Sequence, residues 1–328
     1  MIKDSRMQQP AVDAIAIGRN EGERLVRCLD SLAAAGFRHV VYVDSGSTDG
    51  SIVAARARGA IVVQLDVTQP FTAARARNAG VEALPQGASA PDFIQFIDGD
   101  CSLDPDWLPL ACNFLANNRS VAVVCGRRRE IAPKASVYNR MIDAEWDTPI
   151  GQSRSCGGDA LMRAEAFHSV GGFNASMIAG EEPELCVRLR AKGWQIWRLD
   201  AEMTRHDAAI HRFGQWWRRA RRAGHAYAEG AALHGKFPEH HNVAQVRRAL
   251  IWGLGIPLVA ILGAVFIHPV LLILLLAWPI QVLRLWERDR DLARATFLTL
   301  GKLPEALGVL EYWRKRRTGQ GSRLIEYK

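Results

Sequence analysis

From Ala249 to Trp286 the chain carries a single charged side chain, Arg284. A stretch of that kind has to leave water, either for a bilayer or for a deep protein core. His268-Pro269 divides it into two pieces, about 249–267 and 269–286, each close to the roughly 20 apolar residues that cross a bilayer. Pro257 and Pro279 lie inside the pieces, where membrane helices tolerate proline better than soluble ones do. Trp252, Trp278 and Trp286 lie towards the ends, as an interfacial belt requires. Arg247 and Arg248 precede the stretch, and Arg284, Arg288, Arg290 and Arg294 end or follow it. Positive flanks stay on the cytoplasmic side, so a hairpin is predicted with its His-Pro turn on the far face. A buried core hairpin, or an insertion that never crosses, is the alternative. Residues 295–317 are amphipathic and end in Arg314-Lys315-Arg316-Arg317; they are predicted to lie on an anionic leaflet. The composition thus separates an N-terminal domain, 1–235, from a membrane-associated region, 236–328.

The N-terminal part alternates short apolar runs with amphipathic stretches. Strands are predicted at Val12–Ile17, His39–Val43, Ala60–Leu65, Phe93–Ile97, Ser120–Cys125 and Gln195–Leu199. Helices are predicted at Glu23–Ala35, after Gly50, over 72–84, 105–117 and 182–192, and over 211–232. Strands alternating with helices give an α/β fold, a mostly parallel sheet with helices on both faces. Ligands of such sheets bind at the carboxyl ends of the strands. The six cysteines are scattered with no C-x-x-C pair, which argues against a zinc site or a disulfide framework. The net charge of +8 suits an anionic ligand or a membrane surface, and no nucleic-acid recognition module accompanies it. The first ten residues are polar and carry Lys3, Asp4 and Arg6, so no secretory signal is expected and the N-terminal domain is placed in the cytoplasm.

The polar motifs fall at the strand ends. Asp98-Gly99-Asp100 follows Gln95-Phe96-Ile97. Asp100 can hold a hard divalent cation that completes its shell with phosphate oxygens, and Asp98 can reach a ribose hydroxyl or the same metal. A capped turn is the plain alternative. Asp44-Ser45-Gly46-Ser47-Thr48-Asp49-Gly50 ends the second strand; part of it is a helix cap, and Asp44 can accept from a nucleobase N–H. Ala76-Arg77-Asn78-Ala79-Gly80 lies on a helix, where Arg77 can reach a base or a phosphate.

These motifs, with Asn20-Glu21 after the first strand, come in an order and spacing that closely resemble the family 2 glycosyltransferases and their GT-A nucleotide-diphospho-sugar fold. The resemblance covers about residues 12–230. It implies inverting transfer of a sugar from a nucleotide-diphosphate donor, expected to be UDP-linked, with Mn2+ or Mg2+. It matches Glu21, Asp44, Arg77 and Asp98 to nucleotide contacts and Asp100 to the metal ligand, with Asp98 also a metal candidate. In Gly180-Glu181-Glu182-Pro183 the family pattern is Glu-Asp, whose Asp is the general base; here Glu182 takes that place, with Glu181 in reserve. Pro183 at the first helical position would make Glu182 the N-cap. The resemblance further suggests His206 as a second metal ligand and Gly157-Gly158-Asp159 as an acceptor-side loop, with Trp146 lining the acceptor pocket beside it. Gln215-Trp216-Trp217-Arg218-Arg219 is loosely similar to the Gln-x-x-Arg-Trp motif of processive synthases, which makes Trp217 an acceptor-side candidate.

The resulting expectation is a hexosyltransferase at the inner membrane, its catalytic domain on the cytoplasmic face. It would transfer sugar to a hydroxyl of a lipid-linked or polysaccharide acceptor in surface glycan biosynthesis. The rivals are a polyprenyl-phosphate sugar synthase on the same fold and a non-catalytic, membrane-anchored sugar-nucleotide-binding protein. No nucleic-acid partner is expected.

Overall fold

A computed structural model describes residues 10–319; the polar start at 1–9 lies outside them. By its contacts the chain forms two compact units. The first comprises the residues up to Ile131, Glu145–Ala175 and Leu185–Asp207; the second comprises Ala132–Ala144, Ser176–Glu184 and the residues from Ala208 onward. These units are offset from the 1–235 and 236–328 division that composition suggests.

The first unit holds the sheet. Its strands are β1 (Val12–Gly18), β2 (Val40–Asp44), β3 (Ile61–Gln64), β4 (Phe93–Asp98), β5 (Cys101–Leu103), β6 (Val121–Glu130), β7 (Gly151–Ser153), β8 (Ala160–Arg163) and β9 (Gln195–His206). Their order is β3-β2-β1-β4-β8-β6-β9-β5, with β7 on β9. The strands β3, β2, β1 and β4 run parallel. β8 is antiparallel to both β4 and β6, and β5 and β7 are antiparallel to β9. The expected α/β sheet is present, and it is mixed. The three antiparallel strands are three or four residues long, too short to show a period in sequence.

The helices are α1 (Glu23–Ala35), α2 (Ser51–Ala57), α3 (Ala73–Glu82), α4 (Trp107–Asn117), α5 (Val137–Glu145), α6 (Ala164–Ser169), α7 (Glu181–Ala191), α8 (Phe213–His234), α9 (Val243–Leu250), α10 (Ile256–Phe266), α11 (Ala277–Asp289), α12 (Leu292–Leu300) and α13 (Lys302–Thr318). The central strands β1 and β4 are buried on both faces, which is why they read as apolar runs rather than as alternation. Leu25, Leu29 and Leu32 of α1 repeat at helical spacing and are buried in the same core. The parallel register pairs Ile17 with Asp98 and Gly18 with Asp44, so the polar ends of β1, β2 and β4 stand side by side.

In the second unit α8 crosses α13 at two glycines. A Cβ at Gly224 would stand 1.9 Å from the Glu305 carbonyl oxygen, and one at Gly308 would stand 2.0 Å from that of Arg221. Two helices run 243–266 and 269–289, of 24 and 21 residues, both long and apolar enough to cross a membrane. They leave Val259, Val265, Phe266 and Ile280 largely exposed. The first begins six residues before the expected 249, because α9 runs without a break through a π-helical segment, Ile251–Gly255, into α10. The tail is divided at Gly301. It is two helices, and α13 buries Pro304, Ala306, Gly308 and Val309. The small face of α13 is therefore taken by protein, not by lipid, while Leu307, Leu310 and Trp313 remain exposed.

Candidate active site

The turn after β4 and the end of β9 are joined by β5, whose Cys101 pairs with His206. That register brings Asp100 beside His206, with Oδ2 and Nε2 3.2 Å apart. The Asp207 N–H donates to the Asp100 carbonyl and closes the turn. Both side chains are buried. Glu130, opposite His206 on β6, places Oε2 4.0 Å from Nδ1. Burial, reinforced by the Arg128 cation, pushes His206 down to about 3, so its imidazole is neutral. Burial pushes the neighbouring Cys101 thiol up, which keeps it protonated.

Asp98 is held differently. Oδ1 accepts from Arg77 Nη2 at 2.9 Å and Oδ2 from Arg128 Nη2 at 3.1 Å. Burial alone would raise its pKa; Arg77 and Arg128 outweigh it and hold the carboxyl well below the usual range. The Asp98 N–H donates to Asp159 Oδ1 at 3.0 Å, and Asp159 Oδ2 accepts from the Thr204 hydroxyl at 2.7 Å. Gly158 makes room for this arrangement: a Cβ there would lie 2.5 Å from Arg77 Nη2 and 3.0 Å from Asp98 Oδ2.

Asp98 accepts a guanidinium N–H on each oxygen, which balances its charge, and with Cys101 and Asp159 it forms a second group of side chains that could hold a metal ion. Arg77 is 2 % exposed and donates to Asp98. Asp159 is 1 % exposed and bonds to Asp98 and Thr204 from within. Trp146 is half-buried; Arg128 lies over its ring at 4.7 Å and His206 meets it edge-on, so it walls the Asp100–His206 pair. Arg128 is the residue that sequence reasoning missed. Its signal was present, in the basic run Arg127-Arg128-Arg129 at the end of a strand.

Asp44 is 2 % exposed and its carboxylate is already engaged. It accepts from the N–H groups of Gly46 and Ser47 and from the Tyr42 hydroxyl. It shapes the β2 loop, which is laced to the β1 loop through Asn20 to Thr48 and Gly22 to Asp49. Glu21 pairs with Arg24 at 2.9 Å on the β1 side.

In the second unit, α7 starts two residues earlier than Pro183 suggests. The Glu184 N–H donates to Gly180, so Glu181 opens the helix and Pro183 sits third, where its missing N–H is harmless. Glu181 is 3 % exposed and buried, and Glu182 is the more exposed of the two. Trp217 packs on Phe213 and Trp216 in an aromatic cluster that Phe297 of α12 completes.

A hard divalent ion fits Asp100 and His206. A carboxylate oxygen and a neutral imidazole nitrogen converge, and the thiol beside them stays protonated. Two family profiles match the chain: glycosyl transferase family 2 over residues 14–169, and glycosyl transferase family group 2 over residues 93–288, more than half of the chain. The chain belongs to glycosyl transferase family 2. This family 2 chain is 24 % identical over 199 residues to glycosyltransferase AglE of Haloferax volcanii, covering 57 % of the chain and 64 % of the relative. It is 31 % identical over 173 residues to the succinoglycan biosynthesis protein ExoA of Rhizobium meliloti, covering 49 % and 51 %. The chain thus spans between half and two thirds of these relatives' length. Among solved structures, the mannosyltransferase PcManGT of Pyrobaculum calidifontis, in complex with GDP-Man and Mn2+, superposes with a TM-score of 0.65 at 20 % identity, over 94 % of this chain and 89 % of that one. Glucosyl-3-phosphoglycerate synthase of Mycobacterium tuberculosis gives 0.51 at 17 % identity, over 69 % and 80 %. At those identities the shared property is the GT-A fold.

Proposed function

We propose that the chain transfers a sugar, with inversion, from a nucleoside-diphosphate sugar to a hydroxyl of a lipid-linked or glycan acceptor at the cytoplasmic face of a membrane. The observation that carries this is the convergence of Asp100 and His206 beside an aspartate whose charge two arginines balance. Asp100 and His206 would hold Mn2+ or Mg2+. When bound, that ion supplies positive charge to the leaving diphosphate.

The protein's own residues do the rest. Arg77 and Arg128 fix Asp98, and Asp159 fixes the backbone of the same turn, so Asp100 is pre-set before a donor arrives. Trp146 shields His206. Glu182, in the first turn of α7, takes the proton from the acceptor hydroxyl as that oxygen attacks the anomeric carbon. A carboxylate at a helix N-terminus is a weak base, and it suffices when the proton leaves late, as the glycosidic bond to phosphate breaks. No covalent glycosyl-enzyme is needed, and a single displacement inverts the centre. The two apolar helices support a membrane setting, where an acceptor on a lipid carrier would present its head group.

The test is donor hydrolysis by the purified chain in detergent, with manganese, across a panel that includes UDP-glucose and GDP-mannose. The parent is expected to release nucleoside diphosphate from one of them. Asp100→Ala and Glu182→Gln are each expected to lose a hundredfold or more, about 2.7 kcal/mol of barrier. If both variants keep parental rates, the site assignment is wrong.

A further inference from the structure

The segment that leads into Glu181 and Glu182 is held by one face of α8. Arg222, Ala226 and Glu229 recur at i, i+4 and i+7, so they share a face of that helix. All three meet residues 178–180. Arg222 Nη2 donates to the Ile178 carbonyl at 3.1 Å. The Glu229 carboxyl, on the same face, lies within reach of the N–H of the same Ile178. Between these two contacts, Ala226 Cβ stands 3.3 Å from where a Cβ of Gly180 would be, and Gly180 has φ +81°. An L side chain at that position would be both strained and crowded. One turn further along α7, Glu184 meets His234 of α8 at 2.9 Å.

Glu229 is an unusual choice for a helix face. It is 9 % exposed, and its Oε2 has no hydrogen-bond partner. Burial pushes its carboxyl up to about 7, and the charge of Glu181 adds to that, so the two carboxyls are within electrostatic reach of each other. A buried carboxyl of that kind is destabilising unless it does something an apolar residue would not. Here it supplies an acceptor to a backbone N–H that has no helix or strand to satisfy it.

We propose that Arg222 and Glu229 are positioning residues for the general base: they clamp the two polar groups of Ile178 and thereby fix the first turn of α7, which carries Glu182. This rests on the reading of Glu182 as the base. The clamp acts through the backbone, touches no substrate, and sets where the base carboxylate stands when an acceptor oxygen approaches. A displacement of about an ångström there lowers the rate of the chemical step without altering donor binding.

The experiment uses the full chain in detergent, with the panel of UDP-glucose and GDP-mannose and manganese present. The parent is compared with Glu229→Ala, Glu229→Gln, Arg222→Ala and Arg222→Lys, and with Asp100→Ala and Glu182→Gln as controls. Amide hydrogen exchange of residues 176–182 is followed alongside. Glu229→Ala and Arg222→Ala are expected to lower kcat about tenfold or more, with UDP and GDP affinity within about twofold of the parent. Exchange at 176–182 rises in both. Glu229→Gln, whose amide oxygen still accepts from Ile178, and Arg222→Lys, which still donates to its carbonyl, recover most of the parental kcat. If Glu229→Ala does not fold, the arginine pair carries the same comparison. Parental kcat and exchange in the alanine variants overturn the clamp, and so does a Glu229→Gln as slow as Glu229→Ala. If instead the parent consumes no donor, or the two controls are as active as the parent, the reading of the active site falls and the exchange data judge the clamp by itself.

Discussion

At the scale of single residues, the account turns on how Asp98 is neutralised. Arg77 is the more buried of its two partners, and removing it leaves a carboxylate at a mostly buried site with half its compensation. Arg77→Ala is therefore expected to destabilise the fold by about 3 kcal/mol, read as a loss of chemical-denaturation midpoint at unchanged slope. An unchanged midpoint would show that the pairing is not what holds the turn. Gly158 gives a sharper contrast with its neighbour. A methyl group at Gly158 meets Arg77 and Asp98, whereas one at Gly157 meets nothing within 4 Å. Gly158→Ala is expected to cost about 1–3 kcal/mol and most of the donor hydrolysis, and Gly157→Ala to leave both near parental values. Equal effects of the two would contradict the packing described. The carboxylates and His206 were legible in sequence because their order along the chain carries them. The mutual contacts of Arg77, Asp98 and Asp159 were not, because they are completed by Arg128. Arg128 arrives from β6, thirty residues away, and only a long-range register places it there.

At the scale of elements, the strands and most helices could be read from apolar runs and helical spacing. The short antiparallel strands could not, since β8 owes its place to pairing on both edges rather than to its own pattern. α7 starts at Glu181, one residue before the predicted span and two before Pro183, because Pro183 is compatible with any position in a first turn and the Gly180 geometry decides which. The tail's docking was also invisible, because Gly224 and Gly308 read as helix-weakening residues until the α8–α13 crossing shows what they admit. That crossing buries His225, whose ring meets Tyr312 of α13 edge-on. Burial, with Lys315 adding to it, pushes His225 down to about 4. The unfolded chain therefore takes up a proton near pH 6.5 that the folded chain refuses until about 4. His225 thus lowers stability as pH drops through that window, while Glu229, pushed up to about 7, acts in the opposite direction over its upper part, so His225→Phe is expected to gain thermal midpoint over the parent at pH 4 relative to pH 6.5. A variant that tracks the parent over the whole window would remove His225 from the account.

At the scale of the whole molecule, the sequence's sharpest feature, the charge-poor stretch at 249–286, becomes two exposed apolar helices. Side chains such as Val265, Phe266 and Ile267 have no protein covering them to that extent, which a bilayer would remedy. The full chain is expected to stay with the membrane fraction after washes in high salt and in alkaline carbonate, and to leave it only with detergent. Release by salt alone would mean that the basic residues hold it at the surface and that the helices do not insert. The central claim concerns the other unit, and one measurement addresses it without knowledge of the sugar or acceptor. Manganese binding to the purified chain is titrated calorimetrically in the presence of GDP or UDP, for the parent, Asp100→Ala and His206→Ala. The account predicts about one ion per parent chain, dependent on nucleotide, and at least about a tenfold weaker affinity in each variant. Parental affinity in both variants would contradict it.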